Sequence, residues 1–214
     1  MLAADSTFLG DSTVRTLTIP VYRFSELGDE AKAKARDYFR QDVDLEYVVD
    51  DFCSIAEIIG LELDTRPVKL MNGQTRGKPE VYYSVGYCQS DYAAFAGTWR
   101  YTKGCKKAIR DYAPQDTDLH AIVDQWCDIQ RRNFYQLVAT CSARRNSQVA
   151  ETHTVDGRFT RDETLDVATD CVSALAGWLY KRLRNECDYR SSDECIDDLI
   201  EINEYEFYEN GDLV

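Results

Sequence analysis

The stretch 80-EVYYSVGYCQSDYAAFAGTWRY-101 decides the fold. Glu80–Tyr87 and Ala94–Tyr101 are short, aromatic and β-branched, and the CQSDYA between them has the composition of a turn. In the second segment Phe95, Gly97, Trp99 and Tyr101 alternate with Ala96, Thr98 and Arg100, which places the two sets on opposite faces of a strand. The two segments are therefore expected to pair antiparallel, with Phe95 and Trp99 turned into a core. Tyr82, Tyr83, Tyr87, Tyr92 and Tyr101 make this the most aromatic part of the chain. Tyrosine offers a large contact area at small entropic cost, so Tyr92, expected with Asp91 in the surface turn, is a candidate contact residue.

Working outward, Leu61–Leu70 reads as a further strand closed by an Asn72-Gly73 turn. Before it, Leu45–Ile59 reads as a helix in which Tyr47, Val48, Phe52, Ile55, Ile58 and Ile59 recur at helical spacing, stopped by Gly60. Thr16–Phe24 has strand-like content, and Ser25 reads as the cap of a helix with Asp29 and Glu30 in its first turn. Downstream the pattern turns helical: Gly104–Tyr112, then Asp118–Cys141, with Leu119, Ile122, Val123, Trp126, Ile129, Phe134, Leu137 and Val138 as its apolar positions. Residues 143–158 are polar with a weak strand–loop signal. Thr164–Cys187 is a long helix, and Ser192–Ile202 a short one capped by Ser191 or Ser192. Glu204–Tyr208 reads as a terminal strand. The fold class is α+β, a small antiparallel sheet packed with five to six helices. A frayed start over 1–15 precedes a single domain over 16–214, as the 214-residue length suits.

Charge is the strongest functional signal. Lys and Arg number 25 against 38 Asp and Glu, a formal charge of -13. From Glu186 to Val214 there are eleven carboxylates and one basic residue, Arg190. A second stretch, Asp42 to Asp64, contains eight acids, among them Asp44, Asp50 and Asp51, and no Lys or Arg. Such fields repel nucleic acid and anionic membranes and steer towards basic protein surfaces. No run approaches the roughly 18 apolar residues of a membrane span, and the first 20 residues lack a signal-peptide pattern, so a cytoplasmic location is expected.

Chemistry is conspicuous mainly by absence. Phosphate-cradling glycine loops, the GxSxG elbow and HExxH do not occur. The eight cysteines (53, 88, 105, 127, 141, 171, 187 and 195) have no CxxC spacing, and His120 and His153 are the only histidines. Eight free thiols, no metal and no cofactor are expected, with His120 on a helix and His153 in a loop. A non-enzymatic, binding role is expected in turn.

Four stretches carry a resemblance: YRFSELGDEAKAKAR near the start, YYSVGYCQSDYAAFAGTW, YAPQD at 112–116 and SSDE…NEYEF over 191–207. Together they resemble a family of phage and prophage proteins usually left hypothetical or labelled antitoxin of a toxin–antitoxin system. Gln89, Ser90, Asp91, Ala93, Ala94, Phe95 and Gly97 match the family's turn, while Tyr92 stands where glycine is common. The resemblance spans about residues 20–116 and 175–208 and implies phage origin and a host-facing role.

The resulting expectation is an inhibitor of a basic nucleic-acid-binding host protein, a CRISPR effector or a restriction enzyme, whose DNA groove it fills with carboxylates. It contacts neither nucleic acid nor membrane itself. Asp193, Glu194, Asp197, Asp198 and Glu201 fall at helical spacing on one negative face, extended by Glu204. Asp44, Asp50, Asp51 and Tyr92 complete the assigned contact residues. An antitoxin that neutralises a toxin by direct contact, and a small nucleotide- or protein-modifying enzyme, are the alternatives.

Overall fold

In the computed structural model, which describes residues 18–41, 43–86, 89–144, 147–158 and 160–214, the aromatic stretch divides between two sheets instead of forming one hairpin. β5 (Val81–Ser84) pairs antiparallel with β6 (Tyr92–Phe95), Val81 facing Phe95. After Ala96 the chain enters β7 (Gly97–Arg100), which pairs with β2 (Leu61–Leu63) on one side and β8 (Leu137–Arg144) on the other. β9 (Ser147–Thr154) completes an antiparallel sheet of order β2-β7-β8-β9. The expected strand over Leu61–Leu70 breaks in the same way: β2 ends at Leu63, and β3 (Thr65–Lys69) pairs with β4 (Thr75–Pro79) across the Asn72-Gly73 turn.

The three breaks meet. The Asp64 N–H donates to the Ala96 carbonyl (2.9 Å), Ala96 to Glu80 (2.9 Å), and Glu80 back to Asp64 (2.7 Å). This ring of backbone bonds lets three strand pairs diverge from one point without stranding a polar group. Alternation across the junction still holds, since Phe95, Gly97 and Trp99 are all buried.

The chain, read from sequence as one domain over 16–214, divides into two compact units: residues 43–192, and residues 18–41 with 193–214. In the larger unit α2 (Glu46–Ile59) buries Val48, Phe52, Ile55 and Ile59 and ends at Gly60, whose φ of 83° supplies the left-handed cap. Tyr47, expected in that core, lies one position off the stripe and is exposed beneath the Arg190 guanidinium. α3 (Cys105–Tyr112) and α4 (Thr117–Arg132) come next, and the 29-residue α5 (Asp162–Arg190) packs on α4 and β9. The Phe52 and Phe95 rings meet tilted, 5.3 Å apart, and Trp126 meets Trp99 edge-on at 4.2 Å.

α4 stops nine residues short of the expected Cys141, because Phe134 and Tyr135 both adopt left-handed backbone, φ 54° and 60°. The buried Gln130 side chain holds this turn, donating to the Leu137 carbonyl and accepting from its N–H. Leu137, Val138 and Cys141 are buried in β8 instead, and Phe134 is 84% exposed. The polar residues 143–158, with their weak strand–loop signal, contain β9, which places His153, expected in a loop, on a strand opposite Val138. His120 lies on α4 as expected, its Nε2 2.9 Å from the Ala113 carbonyl oxygen.

In the smaller unit α1 (Asp29–Arg40) packs on α6 (Asp193–Ile202) through Ala31, Ala35, Ile196 and Ile200, joined by Phe24, Leu27 and Phe207. Only Tyr22–Arg23 (β1) of the expected Thr16–Phe24 strand forms, pairing with β10 (Glu206–Phe207); residues 16 and 17 lie outside the described residues. Ser25 falls in a 3₁₀ turn, and Gly28 takes the cap position of α1. Gly211 closes the C-terminal turn with φ 84°, and a Cβ there would meet the Ala31 carbonyl oxygen at 2.3 Å. The frayed start expected over 1–15 lies outside the described residues.

Candidate functional site

The acidity of the chain is concentrated in the smaller unit. Residues 18–41 with 193–214 carry five basic and thirteen acidic side chains, a formal -8, whereas residues 43–192 carry nineteen and twenty-two, only -3. Within that unit every basic residue lies between Arg23 and Arg40, so the charged residues of α6 and of the segment after it are all acidic.

α6 is amphipathic with its inner side set by Ile196 and Ile200. Asp193 and Asp197, one turn apart, border that inner side and meet α1. The Arg36 guanidinium grips Asp197 with two hydrogen bonds of 2.7 and 2.6 Å, reaches Asp193 at 3.4 Å, and lies over the Phe24 ring. Arg40 also binds Asp193. The bidentate Asp197 bond, against the cost of burial, pushes the Arg36 pKa further above its ordinary value. Asp193 and Asp197 of the assigned contact surface are thus ion-paired to α1, Asp197 partly buried and Asp193 still exposed. A sequence pattern places them on the acidic helix but does not reveal a cation 161 residues away.

Glu194, Asp198 and Glu201, at i, i+4 and i+7, form the outer row. All three are exposed and have no salt bridge among the described residues, as is true of Glu204. Glu204 sits at φ 53° where the chain leaves the helix, an uncommon conformation for a side-chain-bearing residue. Beside the carboxylate row lie Leu199 and Ile202, at i and i+3, the latter 79% exposed. Two adjoining stripes, one anionic and one apolar, therefore share the outer face of a helix anchored by Arg36.

The second acidic stretch is dispersed. Asp44 accepts the Glu46 N–H at 2.8 Å and starts α2. Asp50 is exposed on α2 beside a groove of about 290 Å³ formed with Val68, Leu70, Lys78 and Tyr83. Asp51 accepts the Tyr112 hydroxyl at 2.6 Å and lies 3.6 Å from Arg182. Tyr92 is half-buried as the first residue of β6, and Asp91, expected at the surface, has a side chain only 4% exposed, accepting from Ser84 Oγ and the Gly86 N–H and facing Arg184. The structure therefore does not gather Asp44, Asp50, Asp51 and Tyr92 into one site.

Sequence reasoning missed a second juxtaposition. Cys105 and Cys127, separated by 22 residues, place their sulfurs 3.2 Å apart. The seven described cysteines form no disulfide with one another; Cys88 lies outside the described residues. Among the described residues no three His, Cys, Asp or Glu side chains form a metal-binding group, and no helix is long and apolar enough to cross a membrane.

Neither a curated protein nor a solved structure matches this sequence. Residues 45–193, well over half of the chain and nearly coincident with the larger unit, match the family described as Domain of unknown function (DUF8835), and the chain belongs to that family.

Proposed function

We propose that the protein acts by binding, presenting the outer face of α6 to a basic surface of a nucleic-acid-binding host protein and displacing the nucleic acid held there. The observation that carries this reading is the split of α6 acids into an inner pair neutralised by Arg36 and Arg40 and an outer, unneutralised row of Glu194, Asp198 and Glu201. Anchoring one side of the helix fixes the other. Successive outer carboxylates sit about 4.5–6 Å apart along the helix axis, a rigid row of negative charge.

A groove that binds DNA is lined with Lys and Arg whose attraction for phosphate is largely electrostatic. Carboxylates on a fixed helix satisfy the same cations, and the adjacent Leu199 and Ile202 add the apolar contact that a purely ionic encounter lacks. The resemblance of residues 20–116 and 175–208 to phage proteins supports a host CRISPR effector or restriction enzyme as the partner. The alternative of a purely solvating acidic surface does not require an exposed apolar stripe beside the acids.

The test is competition. Purified host CRISPR effectors and restriction enzymes, each loaded with a labelled DNA duplex, are titrated with the protein. Stoichiometric release of DNA into a protein–protein complex, with both masses unchanged, is expected. A partner that holds DNA and this protein together, or one that is covalently modified, would overturn the reading.

A further inference from the structure

The larger unit carries a second feature that the binding face does not use. Cys105 is the first residue of α3, preceded by Gly104 with φ 86°, and Cys127 lies on the inner side of α4. Their sulfurs are 3.2 Å apart, a hydrogen-bonded thiol pair. Forming a disulfide of about 2.05 Å from that separation needs only a small approach of the two side chains. Both residues are nearly buried, 4% and 9% exposed, yet both line a surface pocket of about 380 Å³ with Tyr101, Lys106, Arg131 and Tyr135. Tyr135 is one of the left-handed aromatic residues at the end of α4, and its ring packs on Tyr101 at 4.5 Å. Non-glycine residues held in this backbone region cost energy and cluster at functional sites.

We infer that Cys105 and Cys127 form a redox-active dithiol, oxidised reversibly to an intramolecular disulfide by a low-molecular-weight disulfide of the glutathione type that enters this pocket. Cys105 is the attacking sulfur, because it opens α3, where the unpaired backbone N–H groups of the first turn and the neighbouring Lys106 favour a thiolate. The hydrogen bond from Cys127 lowers its pKa, helped by the Lys106 amide and charge against the cost of burial, while Cys127 is pushed up by the same bond. The Cys105 thiolate attacks one sulfur of the oxidant, breaking its S–S bond, releasing one glutathione thiolate and leaving a mixed disulfide. Cys127 then attacks Cys105 Sγ and its proton leaves with the second glutathione. Two cysteines are oxidised and one glutathione disulfide is reduced to two glutathiones, so the exchange balances without another reagent.

Lys106 is shared with Asp124 and Asp128, at 3.2 and 3.7 Å, and Arg131 with Asp128 at 3.5 Å. Lys107 has no salt bridge among the described residues and offers a cation at the rim for an anionic oxidant. The dithiol is independent of the α6 face, which lies in the other unit.

The experiment equilibrates the full chain in glutathione buffers of increasing oxidised fraction, then counts thiols after denaturation and maps peptides by mass. Two of the eight thiols are expected to disappear together, with a cross-link joining Cys105 to Cys127. Closing a loop of this length is expected to raise the melting temperature by roughly 5–10 °C. Cys127→Ser is expected to accumulate one glutathione on Cys105, and Cys105→Ser none on Cys127. Eight thiols persisting in the most oxidised buffer, or a cross-link between any other pair, would overturn the assignment. Glutathione accumulating on Cys127 of the Cys105→Ser variant would overturn the order of attack. The wild-type cross-link requires no variant to fold, so the inference stays testable if either substitution destabilises the chain.

Discussion

Gln148 shows how single side chains hold this fold. Its buried amide accepts the Phe95 N–H at 2.9 Å and donates to the Phe95 carbonyl at 2.9 Å, standing in for a strand neighbour at the edge of β6. Replacing Gln148 with Leu leaves both backbone groups buried and unpaired, and is expected to cost about 2–3 kcal/mol in a chemical denaturation experiment. Trp126, 1% exposed against Trp99, is a cavity problem instead: Trp126→Ala is expected to cost about 3–5 kcal/mol. The two kinds of acid on α6 separate at this scale. Asp197→Ala removes the bidentate grip of Arg36 and is expected to destabilise the smaller unit by about 1–2 kcal/mol, whereas Asp198→Lys stays within about 0.5 kcal/mol of the parent. Equal melting of the two variants would mean that Arg36 does not organise the helix.

At the scale of elements, legibility depended on where the determining partner sits. Gly60 ended α2 as read, because a left-handed cap is a local demand. The buried stripe of Phe52, Ile55, Trp126 and Leu179 followed from spacing alone, as did Trp178. The end of α4 was illegible because β8 opens on the continuous buried run Leu137–Ala139: Leu137, Val138 and Cys141 fit a helical period as well as a strand, and no Gly or Pro marks Phe134 and Tyr135. The three-way junction at Asp64, Glu80 and Ala96 is equally non-local. Between α3 and α4, burial pushes the Asp124 carboxyl up, but Arg110 at 2.8 Å and Lys106 outweigh it and hold the group below its ordinary value. Lys34 does the same for Asp212 in the smaller unit, with help from Asn210. A depressed carboxylate stabilises the fold above its ordinary pKa of about 3.9, and that contribution fades as pH falls through the lower folded value. Melting followed from pH 5 to pH 3 should therefore show a steeper loss for the parent than for Asp124→Asn, whose own cost at neutral pH is about 0.5–1 kcal/mol because the pair is two-fifths exposed. Parallel curves would contradict this ion pair.

The whole molecule joins a nearly charge-balanced family unit to a strongly acidic smaller one, most of which lies outside the residues that define the family. The total charge was readable from composition; its segregation, and the neutralisation of Asp193 and Asp197, required the pairing of α1 with α6 across the length of the chain. The same distance hid the thiol pair, since 22 residues separate sulfurs that touch. The function proposed here rests on Glu194, Asp198 and Glu201, flanked by Leu199 and Ile202. The most direct measurement of that proposal is the affinity of the full chain for the DNA-binding host nucleases of the competition test, taken at about 50 and 200 mM salt for the parent and for the triple variant Glu194→Lys, Asp198→Lys, Glu201→Lys. Steeply salt-dependent binding by the parent, and loss of both binding and salt dependence in a variant that melts like the parent, is the result expected of opposed fields. Unchanged affinity in the folded triple variant would contradict the account.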